Sequence, residues 1–230
     1  FRSEDVSKGG QGAPLVPIGD RHLFAEFPIC LNIGGIANVS YEMNGRRIAY
    51  DICMANQLLN YLANKLGYDY DNNGQFAKQG KVDKELFDIL NDNAYYKQDA
   101  PKSLGREFFE NVQHKIIDES SLSINDLLAT ATEHIAHQIV KSTDNLEKSK
   151  MLVTGGGAKN NFLIERICSL SKHEIVIPDV MITDFKEALI FAFLGVLKME
   201  GKINVLSSVT GASSDSSSGK KYQVELKVES

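Results

Sequence analysis

The chain has 230 residues, 43% of them hydrophobic and 24% charged, with a net charge of −5 at pH 7. This composition suits one large globular domain or two small ones and excludes the basic stripe with which proteins neutralise nucleic-acid phosphates. No run of about 18 apolar residues is present, so no membrane-spanning helix is expected, and the start lacks the charged-then-apolar plan of a secretory signal. Cys30, Cys53 and Cys168 fall in apolar stretches and read as reduced core thiols, which points to the cytoplasm. The first residue is Phe1, so the sequence reads as processed or as starting within a longer protein.

Residues 1 to 27, with Gly9, Gly10, Gly12, Pro14 and Pro17, read as an ordered loop. Ile29 to Ile33, Asn38 to Met43 and Arg46 to Asp51 are short β-favouring segments. The last two are joined by Asn44-Gly45, a tight-hairpin dipeptide, which predicts a three-stranded antiparallel meander. Leu58, Leu59, Leu62 and Leu66 then mark one face of a helix from Met54 to Leu66, ended by Gly67. Further helices are expected at Lys84 to Leu90, Gly105 to Asp118 and Ile124 to Ser142, the last capped by Ser123. Lys150 to Val153 reads as a buried strand running into Gly155-Gly156-Gly157, followed by a helix from Asn160 to Leu170. A strand at Glu174 to Ile177 and an apolar helix from Asp184 to Met199 complete the regular part. From Ser213 the Ser-rich composition predicts a flexible tail, residues 213–230, with a strand-like Tyr222 to Val228. Three antiparallel strands followed by strand-helix units predict an α/β fold of ribonuclease H-like order, a mixed sheet with helices on both faces.

Several groups could carry chemistry. The run Gly155-Gly156-Gly157 between strand and helix lets a ligand approach the backbone near free helix N–H groups, although a tight turn without ligand explains it equally. Neither GxxxxGK[ST] nor GxGxxG occurs. Asp51, at the end of an apolar strand, could act as a general base or cap the next helix. Arg106, in the polar loop Pro101 to Glu107, could pair with a carboxylate or phosphate, or be solvated behind a Ser103 cap. Glu187 at the start of an apolar helix is explained by the helix dipole or by a ligand. Asp69, Asp71, Asn73 and Gly74 resemble the start of a calcium loop, but Gly80 stands where its bidentate glutamate should be. His134 and His137, one turn apart on a polar helix face, do not amount to a metal site.

Together the segments Gly9 to Pro17, Leu31 to Asn38, Pro101 to Glu107, Gly155 to Asn160, Glu187-Ala188-Leu189 and Val209 to Ala212 resemble, in order, the motifs of anhydro-N-acetylmuramic acid kinases. The resemblance covers residues 1–212 and implies the C-terminal lobe of a two-lobed, actin-like sugar kinase. It implies ATP and magnesium in the cleft between lobes, a sugar substrate from cell-wall recycling, and a possible homodimer. By the same matching Asp51 is the base that activates water, Glu187 a second active-site carboxylate, and Gly155, Gly156, Gly157 and Asn160 the nucleotide side. Arg2, Asp5, Gln11, Asn38, Asn56 and Arg106 fall on the sugar side. Around the base the family has Asp-Thr-Gly-Pro-Gly-Asn, where this chain has Asp51-Ile52-Cys53-Met54-Ala55-Asn56. Its N-terminal Gly-Thr-Ser-Leu-Asp-Gly type phosphate loop has no counterpart between Phe1 and Ser230, so the chain alone is expected to turn over little or not at all. Two other readings stand beside this one: an actin-like ATPase with a different substrate, and a folded fragment without catalysis.

Overall fold

Apolar residues alternate with small or polar ones along the first strands, which gives a sheet two unlike faces. The computed structural model, which describes residues 1–222, is organised around that alternation. β1 (Ile29–Ile33), β2 (Ile36–Met43) and β3 (Arg46–Met54) form an antiparallel meander. β4 (Lys150–Thr154) and β5 (Glu174–Val176) add in parallel beside β1, giving the order β3-β2-β1-β4-β5. This is the ribonuclease H-like order expected from the sequence. Asn44 and Gly45 turn the hairpin at φ 51° and 73°, the positive values that a tight turn requires.

Two short helices, α1 (Ser3–Ser7) and α2 (Pro17–Leu23), occupy the segment expected to be loop. Pro17 is the first helical residue of α2, where its missing N–H costs nothing, so a turn signal here marks a helix start. After the meander come α3 (Asn56–Asn64), α4 (Gln75–Gln79), α5 (Lys84–Asn91) and α6 (Arg106–Phe108). A π turn, Phe109–Gln113, joins α6 to α7 (His114–Asp118), and α8 (Ile124–Thr143) follows. α9 (Asn161–Leu170) precedes β5, and α10 (Val180–Met199) and α11 (Ser207–Thr210) follow it. Met54 belongs to β3 and not to the helix predicted there, because the N–H groups of Ala55 and Asn56 bond to the carbonyls of Gly35 and Gly34 and fix the start of α3.

Ile29, Leu31, Ile33, Val39, Met151 and Val153 pack under α3, α5, α8 and α9 on one face, whereas Cys30, Ala49 and Leu152 meet α2, α10 and α11 on the other. Leu31, at 0% exposure on the central strand, is held by both neighbouring strands. Leu31→Ala is expected to cost about 2–5 kcal/mol in urea denaturation, the range for a buried leucine whose cavity cannot fully collapse.

Three local expectations are corrected. Cys168 is exposed, unlike Cys30 and Cys53, because α9 turns it away from the sheet. His134 is buried, its Nδ1 2.9 Å from Asn91 Oδ1 and its Nε2 3.3 Å from the Tyr96 hydroxyl. Burial pushes its pKa down to about 3, which keeps the ring neutral. The Ser-rich segment does not leave the body at Ser213: Ser216 and Ser218 are buried, and Asn204 bonds both the N–H and the carbonyl of Ser218. Serines are small enough to let that backbone approach. The strand-like segment ending at Val228 lies, beyond Tyr222, outside the described residues. Among the described residues no helix is long and apolar enough to cross a membrane.

Candidate active site

A row of polar side chains crosses four strands at the end where β1 and β4 stop. Asp51 on β3 pairs with Asn38 on β2, Asn38 with Asn32 on β1, and Asn32 with Thr154 on β4. All four, with the adjoining Gly155, line one cavity of about 770 Å³. A register shift at Ala37/Asn38 sets Asp51 opposite Asn38, the kind of irregularity that re-aims a side chain next to a site. Arg2 and Gln11 from the N-terminal segment, Pro101 to Leu104, and Glu187 of α10 supply other walls. Arg2, Gln11, Asn38, Asp51, Gly155 and Glu187, singled out from sequence, therefore surround one space.

Asp51 lies inside β3 and the N-cap of α3 is Ala55, so the capping alternative does not hold. Its backbone is clamped on both sides: its N–H donates to the Lys102 carbonyl at 3.3 Å, and its carbonyl accepts from the Tyr95 hydroxyl at 2.6 Å. The Leu104 N–H donates to Oδ2 at 2.9 Å, while Oδ1 takes no hydrogen bond among the described residues. Desolvation raises the pKa of the carboxyl, and the Leu104 N–H offsets part of that rise. Lys102 bonds the Tyr95 carbonyl at 3.2 Å and stands 4.8 Å and 5.3 Å from the centres of the Tyr95 and Tyr50 rings. Burial lowers its pKa.

A raised folded pKa means that the native state binds a proton more tightly than the unfolded chain, so this group costs stability above its folded pKa and the cost is relieved as pH falls through it. Asp51→Asn keeps an acceptor for Leu104 and is expected to raise the urea midpoint at pH 7. That gain should shrink as the pH is lowered through the folded pKa of Asp51; no gain at pH 7 would contradict the burial argument.

Other residues fall elsewhere. Asn56, whose amide donates to the Ile33 carbonyl at 3.2 Å, lines a second cavity of about 400 Å³ with Asp71, Gly156, Lys159 and Asn160. The Asn160 side chain caps α9 through the Leu163 N–H. Gly157 is buried, where an added Cβ would stand 2.2 Å from Ile33, so it serves packing. The Gly155-Gly156 step separates the two cavities, and Lys159 beyond it reaches Asp184 of α10 at 2.6 Å. Asp5 is fully buried and lines neither cavity: Thr210 donates to its Oδ1 at 2.7 Å and the Gly12 N–H to its Oδ2 at 2.8 Å, so it pins the segment that carries Gln11. Arg106 points to solvent and pairs with Glu110, one turn on, outside both cavities. The cap of α6 is Gly105, and Ser103 faces the larger cavity instead. Glu187 stands two turns into α10, which begins at Val180, so the dipole of the first turn no longer explains it.

Sequence reasoning passed over Asn32 and Thr154, although a polar residue in phase with Asn38 and Asp51 on a buried strand is a readable signal. It also passed over Asp20, Tyr95, Lys102 and Lys186, whose partners are remote in the chain.

The model of the family described as anhydro-N-acetylmuramic acid kinase matches residues 1–224. The chain belongs to the anhydro-N-acetylmuramic acid kinase family. It is 36% identical to the anhydro-N-acetylmuramic acid kinase of Actinobacillus pleuropneumoniae serotype 7 over 235 residues, covering 96% of this chain and 64% of that protein. With the Vibrio cholerae kinase of the same name it shares 37% identity, covering 96% and 63%. The chain thus spans a little under two thirds of the length of these anhydro-N-acetylmuramic acid kinases. Among solved structures, the activator of the 2-hydroxyisocaproyl-CoA dehydratase from Clostridium difficile with bound ADPNP aligns at 18% identity with a TM-score of 0.44, covering 71% of this chain and 57% of that one.

Proposed function

We propose that this chain is the sugar- and adenosine-binding lobe of an ATP-dependent kinase that opens the 1,6-anhydro bridge of anhydro-N-acetylmuramic acid, in the recycling of cell-wall sugars. The supporting observation is the convergence of Asp51, Glu187, Arg2 and Gln11 on one cavity, separated from a second only by the glycine corner. Asp51, with Oδ2 held by Leu104, uses Oδ1 to accept a proton from water as the water oxygen bonds to the anomeric carbon. The bond from that carbon to O6 breaks, and O6 takes the γ-phosphoryl group as its bond to ADP breaks. N-acetylmuramic acid 6-phosphate and ADP result, and the proton on Asp51 passes to solvent. Arg2, Gln11 and Asn38 hold the sugar, and Gly155, Gly156 and Asn160 border the adenosine.

Among the described residues no three His, Cys, Asp or Glu side chains gather as a metal site. Glu187, which lines the larger cavity, would be the carboxylate available to a magnesium ion carried on the phosphates of ATP, and such an ion would supply charge neutralisation of the transferring group. The protein works in the cytoplasm, where ATP is available, and pairing into a homodimer is compatible with the reading.

Calorimetry with the anhydro-sugar tests the site. The chain should bind it, and Arg2→Ala should abolish binding. An absence of binding by the unaltered chain would favour a folded fragment without catalysis, and binding of a different sugar alone would favour another actin-like ATPase.

A further inference from the structure

Below the larger cavity lies a group of buried charges that the proposed reaction does not use. Asp20 of α2, Arg47 of β3 and Lys186 of α10 are exposed by only 4%, 2% and 6%. Lys186 Nζ stands 2.7 Å from Asp20 Oδ1, out of line for a hydrogen bond, so that oxygen has no hydrogen-bond donor among the described residues. Arg47 Nη2 is 3.7 Å from Asp20 Oδ2 and donates to Ser40 Oγ at 2.8 Å, and Ser40 in turn donates to Asp20. Arg47 Nε has no hydrogen-bond partner among the described residues. The nearby Glu42 carboxylate, 3.7 Å from Arg47, is already bound at both oxygens by Arg21. Two buried cations therefore share one buried carboxylate.

An uncompensated buried charge is expensive, and this cluster holds two buried cations against one buried carboxylate. The imbalance has an outlet: Lys186, Asp20 and Ser40 line the cavity, whereas Arg47 is sealed beneath it. Lys186 is also held in place, its ammonium 5.3 Å from the centre of the Phe24 ring. A ligand anion at the cavity floor would balance the group and meet a cation already stripped of water.

We propose that Lys186 is a specificity-determining residue of this cavity and takes a carboxylate on the bound sugar. The inference rests on the sugar reading above, and its chemistry is specific: muramic acid differs from glucosamine by a lactyl ether that ends in a carboxylate. Lys186 thereby selects the acid form over a neutral one, with Asp20, Ser40 and Arg47 as its support.

Calorimetry on the chain would compare anhydro-N-acetylmuramic acid with its lactyl primary amide, which has the same shape without the charge. The acid should bind at least about tenfold more tightly than the amide, equivalent to about 1.4 kcal/mol. Lys186→Met should bring the ratio to about one, and Lys186→Arg should keep it above one. If Lys186→Met does not fold, Asp20→Asn/Lys186→Met removes the pair together and reads the same ratio. Equal binding of acid and amide by the unaltered chain, or a preference that survives in Lys186→Met, overturns the proposal. Inorganic phosphate competing with the acid in the unaltered chain but not in Lys186→Met would assign the lysine to a phosphoryl group and also overturn it. If neither sugar binds the unaltered chain, the sugar reading itself falls, and this inference with it.

Discussion

Replacing Asp51 by Asn in a full-length kinase that carries this lobe is expected to lower kcat for anhydro-sugar phosphorylation by about 10²–10⁴, with a much smaller change in KM. Asn keeps the acceptor for the Leu104 N–H, and with it the local geometry, but cannot take a proton from water. The loss therefore belongs to the chemical step and should appear in a coupled assay of ADP release at saturating sugar. Because burial raises the pKa of Asp51, the acid limb of the unaltered enzyme should lie at higher pH than an exposed aspartate would give, the rate falling as the base becomes protonated. Normal turnover by Asp51→Asn would move the base elsewhere in the cavity.

Gly155→Ala should destabilise the fold by about 3 kcal/mol, from two sources. Gly155 has φ +86° and ψ 171°, a region essentially confined to glycine, where a residue with a side chain pays about 1–3 kcal/mol. An added Cβ would also stand 2.6 Å from Asn32 Oδ1 and 2.8 Å from the Ile33 carbonyl oxygen, which adds about 1–3 kcal/mol of overpacking. Gly45 provides the control, since it has φ +73° but nothing within 4 Å of where a Cβ would stand, so Gly45→Ala should show only the conformational cost. Equal losses for the two variants in urea denaturation would mean that the floor of the glycine corner yields freely. The same Cβ would intrude on the polar row, so Gly155→Ala should also weaken sugar binding.

The strand order is legible because alternation and the Asn44-Gly45 turn are local signals, and the registers then bring Asp51 and Gly155 to the same cavity. The start of α10 is not, because Val180 to Thr183 are apolar or β-branched and hide a helix whose cap is Asp179. Arg106 looks like an anion binder because its loop is polar, yet only packing decides which loop residue faces inward, and here it is Ser103. The clamp on Asp51 leaves no trace in the sequence, since two of its three bonds come from the main chain of Lys102 and Leu104, and a backbone donor or acceptor does not depend on residue type. The Lys186 and Asp20 pair is hidden for a different reason: Asp20 falls in a segment that reads as loop and Lys186 near the start of an apolar helix, and only the packing of α2 and α10 on one face of the sheet brings them together.

The bond from Thr210 to Asp5 joins positions 205 apart in the chain, and the Gln11 N–H reinforces it by donating to the Thr210 carbonyl at 2.9 Å. During synthesis from the N-terminus, the sheet can assemble while Arg2 and Gln11 still wait for their anchor, because Thr210 follows every strand of the sheet in the chain. Closure of that wall is thus a late folding event of high contact order. A nascent chain halted before Thr210 would hold every strand of the sheet while the wall that carries Arg2 and Gln11 lacked its anchor.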